Sequence, residues 1–491
     1  MATYNVCKIL LKRTTNLSNS MRKILITVLV ITSSLLLSDC SQDDIEKPSV
    51  ARIVVTAPVN SVDITTTSTL QLSAIAQDKS GKAVEGIVFS WKISNELVAT
   101  VDGNGLISLI TTGQVIVEAS ANGITGSKSI NITRPPTLEE FVQAQMTSNG
   151  IKALAACIVK DGEISWIKGF GKHQDGSDAP TTDESLFITF SLAKLIVGVS
   201  VMQQVELGNI NLDEDLSTYF GFTFKNPNHP AKKLTPRLLL THQTGLNHPT
   251  FEESNDMNLI FEDSLFTLES WVQNYLVPGN PKYTATLWSN IEPGTTHQNS
   301  NVGVAVLARL VEIVAGKDFR TYAKDHVFSP LGMTNTGYYP SKPDGFPEEL
   351  IVDGLTSGGT QFLRFFDGAI YPGLYMRSSV KDWSKFLLAI INGGIYNNNR
   401  ILNESTVDEM LDIKFPNANL AFNSGIGLMW RAFGPNKDWL GHTGAGAMLS
   451  ISEIHRSKKA AVIIFCNSRT AQTVVMPGGT IYERLHQEAL K

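Results

Sequence analysis

Two adjacent prolines, Pro135 and Pro136, divide this chain into parts of different character. Each proline lacks a backbone N–H and fixes φ, so the pair continues neither a helix interior nor a central strand. Before it come short runs rich in Val, Ile and Thr: "IVVTA", "TLQLSAIAQD", "IVFSWKIS", "VATVD", "LISLI" and "VIVEAS". Gly, Asn, Asp and Ser separate them at intervals of about ten residues, the rhythm of an all-β sandwich. This places a sandwich over residues 50–134.

After the prolines the pattern changes. Thr137-x-x-Glu140 forms a capping box ahead of an amphipathic helix. "ALAACIVKDGEISWIKGFG" reads as a hairpin turning at Asp161-Gly162. Helical stretches follow at Ser191 to Glu206, Pro236 to His242, Gly303 to Ala315 and Val380 to Ile391. Strands return in "GIGLMWRAF", "AMLSISEI" and "AAVIIFCN", and the closing "TIYERLHQEAL" is helical. Strands at both ends of a helical middle predict an α+β domain over 135–491: an antiparallel sheet assembled from both termini, flanked by helices, plus a helical lobe. The expected fold class is therefore multidomain.

The first forty residues read as a targeting segment. Arg22 and Lys23 precede an apolar run from Ile24 to Leu37, then Ser38, Asp39 and Cys40. A charged start, a short apolar core and a cleavage region describe a secretory signal. The run is too short to span a bilayer comfortably. The Leu-x-x-Cys ending resembles a bacterial lipoprotein signal, although Asp39 departs from the usual small residue. The resemblance implies lipidation at Cys40 and attachment to the outer membrane. The acidic "SQDD" that follows resembles a tag for cell-surface exposure, and residues 41–49 read as a tether. With a formal net charge of −5 and no Lys/Arg cluster, the chain has no nucleic-acid footprint. Cysteines 7, 40, 157 and 466 show no metal-ligand spacing, so neither metal nor organic cofactor is implied. Cys157 and Cys466 fall on strands from opposite chain ends, and two buried free thiols are expected there.

Two elements could carry chemistry. In "ITFSLAKLIVG", Ser191 and Lys194 are one helical turn apart on one face. A serine hydroxyl needs a base within reach to act as a nucleophile. A lysine held against an apolar wall can lose enough of its pKa to serve. This is the S-x-x-K arrangement of β-lactamases and penicillin-binding proteins. In "GHTGAG", His442-Thr443-Gly444 is expected on the edge of a strand. His442 could steer substrate or stabilise charge, and Gly444 admits a close backbone approach. The Ala445 and Ser191 N–H groups would then face each other as an oxyanion hole.

Together these elements resemble the β-lactamase-related serine hydrolases, which include class C β-lactamases, D,D-peptidases and esterases. The likeness runs from about Leu138 to Ala489. "LTPRLLLTHQTGL", "GLYMRSSVKDWSKFLLAIINGG", "RILNESTVDEML" and "GIGLMW" add to it in the family's order. His242 and Asp382 fall in these stretches as loop-orienting residues. The first part similarly resembles a bacterial Ig-like group 2 domain, through Leu70-Gln71-Leu72, the Trp91 strand, "VATVDGNGLIS" and Gly113. That resemblance implies a spacer, with cell-wall or glycan contact as a further role.

The β-lactamase-related family's Tyr-x-Asn element departs from the pattern. It follows Pro293-Gly294, and counting from there puts Asn299 in the tyrosine's place and Asn301 in the asparagine's. An amide does not titrate usefully, so Asn299 cannot move the proton. Three readings stay open. Lys194 alone activates Ser191, with Asn301 binding substrate or orienting Lys194. Alternatively, His297 substitutes, although it lies about 6–7 Å along an extended chain from the missing group. Or the chemistry is lost, leaving a surface protein whose cleft binds cell-wall or glycan ligands. The expected function is an exported, lipid-anchored hydrolase of a small-molecule or peptide ester or amide, acting through a Ser191 acyl-enzyme.

Overall fold

The computed structural model describes residues 49–173, 178–248, 267–338, 346–354, 370–416 and 423–491. The signal segment, Cys40 and most of the tether lie outside them. The chain forms two compact units that divide between Thr137 and Leu138, beside the Pro-Pro pair.

The described part of the first unit is built of strands. A four-stranded sheet runs in the order 61–63, 124–133, 113–121, 90–93. A three-stranded sheet joins 69–71, 106–109 and 99–101, and strands 52–56 and 73–77 pair separately. Side chains alternate as a half-buried sheet requires: Val115, Val117 and Ala119 are buried while Ile116 and Glu118 face out. Leu70, Ile107, Ile53 and Ile130 bring all three sheets to one core.

The second unit centres on a seven-stranded antiparallel sheet. We label its strands β1 (Ala153–Lys160), β2 (Glu163–Gly171), β3 (Asn423–Ile426), β4 (Arg431–Phe433), β5 (Trp439–Ala445), β6 (Leu449–His455) and β7 (Ala460–Cys466). Their spatial order is β2-β1-β7-β6-β5-β4-β3. The principal helices are α1 (Leu138–Ser148), α2 (Ala193–Glu206), α3 (Asn301–Ala315), α4 (Val380–Ile391) and α5 (Thr480–Ala489). The pairing of β1 with β7 joins the two ends of the domain, as expected.

Both sheet faces are covered, so the central strands read as unbroken apolar runs. Ala155, Cys157 and Val159 pack with α2, α3 and α4, whereas Leu154, Ala156 and Ile158 pack with α1 and α5. The same alternation separates the two cysteines. Cys157 opposes Ile463 and Leu154 opposes Cys466, and the thiols belong to cores on opposite faces. Both are free, and burial pushes the Cys466 thiol up to about 12.

One expected strand is a hairpin. "GIGLMWRAF" folds back on itself, with Ile426 opposite Arg431 and the Gly427 N–H donating to the Trp430 carbonyl at 2.7 Å. Its tip is apolar because it plugs into the helical lobe. Leu428, Met429 and Trp430 are fully buried, and Met429 packs on Gly198 of α2.

Candidate active site

α2 is apolar on every side, and twelve of its residues are buried. A helix of that kind lies in the middle of a core. Lys194, in its first turn, is consequently fully buried. Just ahead of it, Phe190 to Leu192 make a single tight turn with Phe190 at φ +46°. A bulky residue in the left-handed region costs free energy and persists only where its surroundings hold it. Here they do. The Thr189 N–H donates to the Met376 carbonyl at 2.8 Å, and Ser450 Oγ donates to the Thr189 carbonyl at 2.6 Å.

This turn brings Ser191 Oγ to 2.8 Å from Lys194 Nζ. The amine also donates to the Gly373 carbonyl at 3.0 Å. Burial, then the positive charge of Arg431, pushes the Lys194 pKa well below the ordinary lysine value. Among the described residues no carboxylate forms an ion pair with it to oppose this. The amine is therefore poised to accept the serine proton.

The turn packs against β5. Strand β4 ends its pairing at Arg431, opposite Gly441, so among the described residues β5 from His442 to Ala445 pairs only with β6. His442-Thr443-Gly444 thus lies on an open strand edge, as the sequence implies. A Cβ on Gly444 would stand 2.2 Å from Ser450 Oγ, 2.3 Å from the Thr189 carbonyl oxygen and 3.1 Å from the Ser191 nitrogen. We expect Gly444→Ala to displace the nucleophile turn and to destabilise the domain by about 1–3 kcal/mol. A thermal melt and an acylation assay on the same preparation check this.

The structure modifies two expectations, for Asn301 and His442, and weighs against the open reading of His297 as the base. Asn301 does not hold Lys194: its Oδ1 is buried without a partner, and the Gly373 carbonyl occupies that role. His297 does not bond Ser191 or Lys194. It stacks edge-on against His242 at 5.5 Å, and burial followed by Arg431 lowers its pKa to about 4. His442 is a neutral ring and does not supply charge. Its Nδ1 lies 2.7 Å from the Thr443 carbonyl, which can only accept, so Nδ1 carries the proton. Burial, then Arg431 and Lys194, holds its pKa well below the usual histidine value.

His242 and Asp382 orient loops. The His242 carbonyl accepts from the Gln298 N–H at 2.7 Å and its Nδ1 from the Ser300 N–H at 3.3 Å. Asp382 accepts from the Asn335 N–H at 2.6 Å.

Sequence reasoning missed Arg431 and His248. Arg431 Nη2 donates to Asn299 Oδ1 at 3.2 Å, and Asn299 Nδ2 lies 3.3 Å from His248 Nε2. A cation just past an apolar run, in "GLMWRAF", was the available signal for Arg431. The cleft thus joins one serine, one depressed amine and one guanidinium to several imidazoles. It can form and hold a covalent acyl group.

The Beta-lactamase family model matches residues 138–477. "Beta-lactamase-like protein 2" of Dictyostelium discoideum is 27% identical over 56% of this chain, and the match spans only 48% of that relative. "Lovastatin esterase" of Penicillium rubens is 23% identical over 65% of this chain and 84% of its own length. The solved penicillin-binding protein homologue from Pyrococcus abyssi shares the fold, with a TM-score of 0.58 at 21% identity over 72% of this chain and 80% of that one.

Proposed function

This chain belongs to the beta-lactamase family, and on that premise we propose that it is a serine hydrolase of esters or amides working through a Ser191 acyl-enzyme. The observation that carries the reading is the 2.8 Å approach of Lys194 Nζ to Ser191 Oγ, with the amine buried and its pKa depressed. Lys194 takes the serine proton as Oγ bonds the substrate carbonyl carbon. The Ser191 and Ala445 N–H groups hold the oxyanion, where fixed donors act most strongly. Lys194 then passes the proton to the leaving group. We assign a substrate N–H to Asn301 Oδ1 and to the neutral His442 Nε2, two buried acceptors without a partner. Thr443 and Gly444 form the edge along which the substrate lies. The esterase among the relatives favours an ester substrate.

An active-site serine probe such as a fluorophosphonate tests this. Labelling that is present in the wild type and absent in Ser191→Ala supports the hydrolase. A wild type that takes no label and turns over no ester or peptide in a broad panel leaves the catalytically silent binder. We further propose that Cys40 is lipidated and anchors the protein at the outer membrane, exposed on the cell surface. The strand unit would serve as an Ig-like spacer that meets cell-wall or glycan material. Cys40→Ser should move the protein from the detergent phase to the aqueous phase in Triton X-114 partitioning.

A further inference from the structure

An amide in the tyrosine's position raises the question of what activates water once the acyl-enzyme has formed. Arginine can only donate hydrogen bonds. Arg431 Nη2, 3.2 Å from Asn299 Oδ1, therefore fixes the Asn299 amide with its oxygen toward the arginine. The amide nitrogen is left facing His248 Nε2 at 3.3 Å, and a nitrogen that donates needs an acceptor. His248 Nε2 must then carry a lone pair, which puts the ring proton on Nδ1. Arg431 sets Asn299, and Asn299 sets the tautomer of His248. The result is an unprotonated imidazole nitrogen directed at the side chain that stands in the tyrosine's place.

We propose that His248 is the general base for hydrolysis of the acyl-enzyme, replacing the family tyrosine through space; this rests on the serine-hydrolase reading above. The incoming water takes the place of the Asn299 amide at His248 Nε2, then bonds the acyl carbonyl carbon as its proton passes to that nitrogen. The oxyanion collapses, the carbon–Oγ bond breaks, and Ser191 Oγ recovers that proton from His248 through solvent. Both bases end neutral, as they began. Imidazole suits this step because its pKa lies near working pH. His248 is exposed, so water can reach it. Among the described residues, the charged and titratable groups that face it are Lys194 and Arg431, with His242 in the turn before it. Neighbouring atoms partly desolvate the inner side of the ring although its outer edge meets solvent, and this, then Lys194 and Arg431, lowers its pKa below the ordinary imidazole value. It stays a free base at neutral pH. His297, packed on His242, has no comparable contact with Asn299.

The test uses p-nitrophenyl acetate, with nitrophenolate release reporting the burst and intact-mass spectrometry following decay of the acetyl-enzyme. His248→Ala should keep the burst and slow deacylation by about 10²–10⁴-fold. Wild-type deacylation should fall on the acid side with a midpoint below about 6.5. That limb should vanish in His248→Ala, and added imidazole should restore part of the rate. A residue with a purely structural role would produce neither of the last two results. Deacylation by His248→Ala at the wild-type rate, or with the acid limb retained, overturns the assignment. A wild type without any Ser191-dependent burst overturns the hydrolase reading itself, and this assignment with it. The two failures are separable, because only the second abolishes the burst.

Discussion

Ser191→Ala should leave a folded protein that forms no acyl-enzyme, with turnover lowered by at least about 10⁴-fold. Removing an enzyme's serine nucleophile costs on the order of 10⁶ in kcat where the whole catalytic group acts as a unit. The lower bound allows for a slower background at this site. Stability should hardly change. The turn that carries Ser191 is fixed by Thr189, Met376 and Ser450, none of which uses the serine side chain. The hydroxyl makes one contact of note, to Lys194 at 2.8 Å, and the lysine keeps Gly373. A single hydrogen bond is worth roughly 0.5–1.5 kcal/mol net. Steady-state hydrolysis of p-nitrophenyl acetate and a thermal melt measure the two quantities separately. An alanine variant that keeps a third of wild-type turnover would place the nucleophile elsewhere.

What the sequence makes legible is local or periodic. The first turn of α4 carries its own start signal, and Ser379 Oγ accepts from the Asp382 N–H at 3.1 Å as a helix cap should. The alternation in β1 assigns Cys157 to one core, and the strand pairing then forbids its union with Cys466. The spacing of Ser191 and Lys194 predicts their meeting. What stays hidden depends on groups distant in the chain. The partner that aims Lys194 is a backbone carbonyl 179 residues away, and a carbonyl has no sequence signature. The charge state of His442 cannot be read from "HTG", because Arg431 and burial decide it. The tautomer of His248, a loop residue, is set through Asn299 by an arginine on β4. The β3–β4 turn misleads for a related reason. Its residues are apolar because α2 receives them, and a periodic reading takes an apolar run for a strand.

Lys194→Met should slow acylation severely and, at neutral pH, raise the melting temperature. Methionine keeps the length and apolar stem while removing the amine, so the core around α2 stays filled. Loss of the base should lower acylation by about 10³-fold, within the usual range for general-base catalysis. The stability gain follows from the depressed pKa. Between the folded-state value and about 10.5, the unfolded lysine binds a proton and the folded one does not. Unfolding then takes up a proton, so stability rises with pH across that window. The same linkage means Lys194 imposes a penalty that grows as pH falls through the window and is complete below the folded pKa. Methionine removes that penalty. The advantage of the variant over the wild type should therefore be larger at pH 7 than at pH 9 and shrink toward pH 10.5. Paired melts across that range cancel the other titrations common to both proteins. A wild type more stable than Lys194→Met at pH 7 would mean that the buried amine is charged and held by partners. In that case it could not accept the serine proton.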